Sequence, residues 1–384
     1  MKYPKDATAQ NLFAEFQEIP VVGDIQSMSI RPKKVIFENL IASWLLIQSK
    51  RYLPLFAKMD FLKSLKKNIF EITPNSFEEV AVQLFKIQAE TNLIYNKYLK
   101  YLDIDPSTVQ KISEIPFLPI EFFKSQSIKT GDWMEERIFK SSGTSQTGRS
   151  EHYIQDVNFY HQLSLKIAKD KFGDLSETKM LALLPSYLEQ GDSSLISMMN
   201  YFINQAAEGS GFYLHNQDDL IRNIEDAKAR VILFGVGYAL LDLAENHKID
   251  LSAHIIIETG GMKGRKKEIT SSELHSQLKL VFRATEIHTE YGMTELLSQA
   301  YGINGNLRFP AWCRPLVRDL TDPFDLKEEG SGALNIIDLA NGHSCAFIET
   351  KDLVEVRKNG EFSILGRMDN SDIRGCSLLL DSGN

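Results

Sequence analysis

Arg230-Val-Ile-Leu-Phe-Gly-Val-Gly-Tyr238 is the stretch that decides the fold. Four consecutive apolar residues after Arg230 are the length of a strand buried on both faces, two glycines mark a break, and Tyr238 to Asn246 continues with helical spacing. The same unit recurs on either side. Lys179 to Pro185, His254 to Ile257 and Glu286 to Thr289 read as further strands, while Asp156 to Lys171 and Ser271 to Phe282 read as helices. Strands that alternate with helices predict an α/β layer with a largely parallel sheet. Ligands of such sheets bind beyond the carboxyl ends of the strands, which singles out Gly235-Val-Gly237, Thr259-Gly-Gly-Met-Lys263 and Tyr291-Gly-Met-Thr-Glu295. From Gly332 the pattern becomes β-rich, with short strands predicted at 333–339, 346–348, 354–357 and 362–365 around Asn341-Gly342 and Asn359-Gly360 turns. No internal repeat is present.

Upstream lies Phe139-Lys-Ser-Ser-Gly-Thr-Ser-Gln-Thr-Gly-Arg-Ser150, a loop suited to meeting phosphate. Gly143 and Gly148 allow close backbone approach, successive amides can form an anion-binding concavity, the hydroxyls of Ser141, Ser142, Thr144, Ser145 and Ser150 donate, and Arg149 offers a planar charged fork. No Gly-Lys-Ser/Thr follows, so it is not a Walker A loop, and its composition alone equally suits a surface linker. Between Asn11 and Tyr101 apolar residues recur at helical spacing, and Ser76 with Glu79 reads as a capping box. The prolines of Ile115-Pro-Phe-Leu-Pro-Ile120 predict an extended connector.

The chain of 384 residues is 43% hydrophobic and 24% charged, a composition that supports a large folded core and argues against disorder. A net charge of -8 speaks against nucleic acid as a general partner. Neither a signal-peptide h-region nor a transmembrane segment is expected, since the longest apolar stretch, Val35 to Ile47, is interrupted and short. Cys313, Cys345 and Cys376 suit neither a disulfide framework nor a zinc site, and a cytoplasmic location follows as the expectation.

Ser141-Ser-Gly-Thr-Ser-Gln-Thr-Gly148, Tyr291-Gly-Met-Thr-Glu295, Thr350-Lys-Asp352 and Gly366-Arg-Met-Asp369 stand in an order and at a spacing that resemble the adenylate-forming enzyme superfamily. Within it the chain most resembles the acyl-protein synthetase (LuxE-like) family, from about Phe117 onward. The resemblance implies an α/β fold: a helical region over 1–125, an adenylate-forming core with mixed and parallel sheets and a β-rich end over 126–365, and a tail over 366–384 in place of a complete mobile C-terminal domain.

It also implies ATP and Mg²⁺ as cofactors and a fatty acid or other carboxylic acid as substrate. The Ser141 to Ser150 loop would hold phosphates; Gly260 and Gly261 would pass the adenine. Tyr291, with Gly292 and Met293, would line the adenine, Thr294 would touch the α-phosphate, Glu295 would hold the metal, and Asp352 and Arg367 would meet the ribose. Tyr187, Gly235, Gly237 and Tyr238 would line the acyl pocket. The catalytic lysine of longer relatives has no counterpart, and Arg149, Lys263 or Arg265 would supply part of its charge. Cys376, close to Arg374, would accept the acyl group for a partner of the acyl-CoA reductase or acyltransferase type. Two other readings remain: a ligase that uses coenzyme A, and a non-catalytic adenylate-binding subunit.

Overall fold

Strands β4 (Thr178–Leu183), β6 (Arg230–Val236), β7 (Ile255–Thr259) and β8 (His288–Tyr291) pair in parallel, with two-residue β5 (Gly211–Phe212) on the outer edge of β4. They belong to a computed structural model of the protein that describes residues 57–142, 148–184, 191–260 and 270–368. Gly143, Thr144, Ser145, Tyr187, Gly261, Lys263, Arg265 and Cys376 lie outside the described residues. The chain divides into two compact units, Met1–Asp60 and Phe61–Asn384, and every strand of the sheet belongs to the second.

The central runs of β4, β6 and β7 are apolar because both faces are covered, whereas β8 carries buried polar His288 and Glu290; successive side chains point to opposite sides. Met180, Ala182, Ile232, Phe234 and Ile257 join one core with α4 (Val157–Phe172) and α5 (Ser194–Gln205). Leu181, Leu183, Val231, Leu233 and Ile256 join a second core with α6 (Gln217–Glu225), α7 (Gly237–Asn246) and α8 (Ser271–Phe282). Ahead of them come α1 (Pro74–Thr91), α2 (Leu93–Tyr101), the four-residue α3 (Phe122–Ser125) and the hairpin β2 (Arg137–Lys140) and β3 (Glu151–Ile154).

The sheet continues past β8 without a break. Antiparallel β9 (Ala300–Ile303) and β10 (Asn306–Arg308) lead through β15 (Phe362–Arg367) to β14 (Phe347–Val356), β13 (Gly330–Asp338), β11 (Cys313–Arg318) and β12 (Leu326–Lys327). The connector's β1 (Leu118–Pro119) pairs in parallel with β14, so the extended reading of the two prolines holds. Four strand steps separate β8 from β14, about 19 Å in a flat sheet. Yet the Tyr291 hydroxyl donates to Asp352 Oδ2 at 2.7 Å. The sheet therefore rolls over between these strands, and Tyr291, Phe309 and Phe362 fill the concave side, with the last two stacked at 5.0 Å.

Local readings need correction. Helix α1 is capped by Thr73 and Ser76 in a reciprocal box with Pro74 next, three residues before the Ser76–Glu79 box expected, because Pro74 fixes its first turn. Asn92 breaks the apolar period into two helices by accepting from the Tyr95 amide. Strand β8 starts two residues later than read. The strands expected at 346–348 and 354–357 are one, since pairing with β13 and β15 carries polar residues 349–352 through. Asn341-Gly342 is no hairpin turn: residues 339–341 form a 3-10 turn and Gly342 has φ -55°. Asn304-Gly305, unread as a hairpin, joins β9 to β10 with φ of 52° and 78°.

Candidate active site

Glu295 stands at the centre. It lies in the loop after β8, 5% exposed, its carboxyl hydrogen-bonded by the buried Ser150 hydroxyl. Burial pushes its pKa up, while Ser150 and the charges of Arg367 and Lys124 pull it down. The loop follows the carboxyl end of a parallel strand, where ligands of such sheets bind.

The phosphate-loop hairpin closes beside it. Ser141 N donates to Ser150 O at 3.0 Å and Ser150 N to Ser141 Oγ at 3.0 Å, so both ends of the loop are fastened where Ser142 and Gly148 enter and leave it. Gly148 has φ +88°, a conformation that favours glycine. Arg149 is committed to protein partners: Nη1 meets Asp192 Oδ2 at 2.9 Å, Nη2 donates to Lys140 O at 3.3 Å, and Nε donates to Ser141 O. A phosphate role for Arg149 would require exchanging these partners for a ligand's oxygens.

Two residues beyond the hairpin's base, His152 is buried on β3 and faces Thr294, with Nδ1 at 2.8 Å from the Thr294 carbonyl. Burial lowers its pKa to about 4, so the imidazole is neutral near pH 7 with its proton on Nδ1 to donate. The opposite wall is Tyr291, Asp352 and Arg367. Asp352 pairs in register with Arg367 across β14 and β15, with Oδ1 3.9 Å from Arg367 Nε. Burial and then the Asp352 charge raise the Tyr291 pKa, which keeps the phenol a donor. A Cβ on Gly292 would lie 2.6 Å from Glu290 Oε1, so a larger residue there would have to displace that carboxylate; Met293 Sδ is 3.6 Å from the Tyr291 hydroxyl.

Gly260 follows β7 with φ +73°, and a Cβ there would make ordinary contact with Val236 at 3.8 Å. Gly235 turns toward α7, where a Cβ would meet Leu183 and Leu240 at 3.0 Å, and Gly237 begins that helix beside half-buried Tyr238. Thus Ser141, Ser150, Tyr291, Thr294, Glu295, Asp352 and Arg367 come together, whereas Gly235 belongs to packing on the far face. Cys313 and Cys345 are buried, the latter's thiol pushed up to about 12, which leaves neither a nucleophile near neutral pH.

Lys124, His152, Asp338 and Asn341 are site residues that pattern reading misses. Asn341 Nδ2 donates to Glu295 O at 2.8 Å, and Asp338 accepts from the Leu297 and Ser298 amides at 3.0 Å each. The available signal was slight: a single aspartate closing the apolar run Ala333-Leu-Asn-Ile-Ile-Asp338. Among the described residues no three His, Cys, Asp or Glu side chains gather as a metal cage. A buried carboxylate with one hydroxyl partner fits a Mg²⁺ that takes its other oxygens from phosphates and water.

The chain has the fold of the large N-terminal domain of the adenylate-forming enzymes. A crystal structure of 2-hydroxyisobutyryl-CoA ligase, in the postadenylation state with 2-HIB-AMP, is similar to it at TM-score 0.57 and 12% identity, over 77% of this chain and 69% of that one. ATP-bound MatB from Rhodopseudomonas palustris gives TM-score 0.45 and 16% identity over 60% of this chain and 47% of its own. O-succinylbenzoate coenzyme A synthetase (MenE) from Bacillus subtilis, in complex with AMP, gives 0.44 and 15% over 60% and 49%. The chain thus spans about half the length of these two. It matches no protein-family profile and no curated protein sequence.

Proposed function

We propose that the protein uses ATP and Mg²⁺ to convert a carboxylic acid, in the first place a long-chain fatty acid, into an acyl-adenylate. The acyl group then passes to the thiol of Cys376, for delivery to an acyl-reducing or acyl-transferring partner. The observation that carries the reading is the convergence of Tyr291, Asp352 and Arg367 on the loop that holds Glu295, across from the Ser141–Ser150 hairpin base. Asp352 already accepts one hydroxyl, from Tyr291, and its Oδ1 faces Arg367, an arrangement that suits a ribose diol. The hairpin's hydroxyls and amides suit the phosphates, and Tyr291 presents a ring beside them.

A carboxylate is unreactive toward thiols because its leaving group would be oxide. In the proposed reaction the carboxylate oxygen attacks the α-phosphorus and pyrophosphate departs. Arg367, the Ser150 hydroxyl and the Thr294 region would face the oxygens on which charge gathers. Mg²⁺, held through Glu295, would neutralise phosphate charge. The Cys376 thiolate, its proton lost to solvent, then attacks the acyl carbonyl; the C–S bond forms, the C–O bond to phosphate breaks, and AMP leaves. A reducing compartment such as the cytoplasm keeps that thiol available. No helix among the described residues is long and apolar enough to cross a membrane. The fold likeness to a coenzyme A ligase favours a second reading, in which coenzyme A is the acceptor.

The test incubates the purified chain with ATP, Mg²⁺ and radiolabelled acids of graded length, with and without coenzyme A, followed by denaturing gels and pyrophosphate assays. Label retained on wild type and lost from Cys376→Ser is expected, with pyrophosphate exchange reduced about 100-fold or more in Glu295→Gln, the size associated with losing one electrostatic group from an active site. Product appearing only as acyl-CoA selects the second reading. No acid-dependent exchange at all removes both and leaves an adenylate-binding subunit.

A further inference from the structure

The segment 292–298 has no helix and no strand, yet on the adenylation reading it must hold Thr294 and Glu295 against phosphate and metal. Irregular backbone does not keep a reacting geometry unaided, and a displacement near 1 Å can cost about 100-fold in rate. Three side chains from other elements fasten it. His152 donates to Thr294 O at 2.8 Å, Asn341 to Glu295 O at 2.8 Å, and Asp338 takes the segment's far end.

Asp338 occupies both sides of the problem. Its Oδ2 accepts the Leu297 and Ser298 amides at 3.0 Å each, and its Oδ1 accepts the Ser298 hydroxyl at 2.8 Å. Oδ1 also accepts the Ala340 amide at 3.1 Å, which caps the 3-10 turn 339–341 and thereby orients Asn341. The carboxyl is 0% exposed, and Trp312 Nε1 completes the set by donating to Ser298 Oγ at 2.9 Å. One side chain thus secures the end of the loop and also the residue that grips Glu295. We infer that Asp338 is a positioning residue of the active site: it fixes Thr294 and Glu295 through the backbone of 297–298 and through Asn341, without touching substrate. The inference rests on the adenylation reading for its catalytic consequence, but not for its structural one.

Two measurements on the full chain test it. Asp338→Asn keeps the volume and replaces one accepting oxygen by an amino group that faces N–H donors. Amide hydrogen exchange across 293–298 should accelerate on the order of tenfold, more than in Leu278→Ala, a substitution on α8 in the second core. Pyrophosphate exchange should fall by about 10- to 100-fold in kcat, with the KM for the acid within about twofold and the half-saturating Mg²⁺ raised about tenfold, since the fault lies in the placement of Glu295. In a Glu295→Gln background Asp338→Asn should then cost little more. Independent, multiplicative losses, or unchanged protection of 293–298, overturn the inference. Should wild type show no pyrophosphate exchange, the adenylation reading fails, and amide exchange alone decides the positioning claim. If Asp338→Asn does not fold, Ser298→Ala and Asn341→Ala each remove one arm of the same clamp and are scored by the same measurements.

Discussion

Glu290 shows how one residue of the site framework carries a cost that pH can reveal. It is buried on β8, takes the Thr259 hydroxyl on Oε2, and lies beside the carboxylate of Glu258; burial first, and that like charge, push its pKa up to about 7. In the unfolded chain the group titrates near its ordinary value of 4.5. Between those values the folded protein holds a proton that the unfolded chain releases, so this residue's contribution to stability is full below 4.5 and falls as pH rises to 7. His152 and His343, lowered to about 4 by burial, tilt stability the other way between 4 and 6.5. The clean observable is therefore a difference between proteins. Glu290→Gln, measured by denaturant midpoints, should gain roughly 2 to 3 kcal/mol on wild type at about pH 8 and almost nothing at about pH 4; a gain independent of pH would refute it. At this scale Tyr291, Glu295, Asp352 and Arg367 were legible because motifs name them. His152 and Asp338 were not, because a single polar residue in an apolar strand acquires its meaning from a partner 142 or 40 to 41 positions away.

Elements are joined through a few buried amides, and α1 illustrates the dependence. Gln88, fully buried, donates to the carbonyls of Asn341, Gly342 and Ser344 at 3.0, 3.2 and 3.3 Å and accepts the Ala346 amide at 2.9 Å. Asn92, the break between α1 and α2, adds a bond to Ser344 O at 3.0 Å. A helix distant in sequence thereby shapes the turn from which Asn341 reaches Glu295. Gln88→Leu matches the volume but deprives the buried Ala346 amide and the Gly342 carbonyl of this partner, while Asn341 O and Ser344 O keep the Ser344 amide, Asn92 and Thr130; it should destabilise by about 2 kcal/mol in urea unfolding, and a cost under about 1 kcal/mol would contradict this role for Gln88. The strand and helix periods of the parallel layer were readable because both faces of each strand are covered. Turn chemistry was less so: Asn-Gly occurs at 304–305, 341–342 and 359–360, and only the first and last close hairpins. Gln88 and Asn92 hold the middle one in a different path, and no local signal in Asn341-Gly342 announces partners in α1.

At the scale of the whole molecule, the larger unit is built on one sheet bent upon itself, with the candidate site on the concave side. The order of motifs made the superfamily fold readable, and alternation made the parallel half readable, but the roll was not. It depends on β9 and β10, four and three residues long, whose tight approach leaves Asn306 O only 2.0 Å from where a Cβ on Gly302 would stand. That bend brings Tyr291 to Asp352 across 61 residues of chain, and their bond cannot form until β9, β10, β14 and β15 have assembled. Contacts of such long sequence separation are slow to close. In refolding, far-UV dichroism should return ahead of the Tyr291–Asp352 contact, followed as fluorescence quenching of a nucleotide analogue; recovery of both signals at one rate would argue against it. A newly made chain would then pass through an interval in which its backbone is largely native and its nucleotide wall is still open, a time window in which a chaperone or a protease meets a protein that is folded but inert.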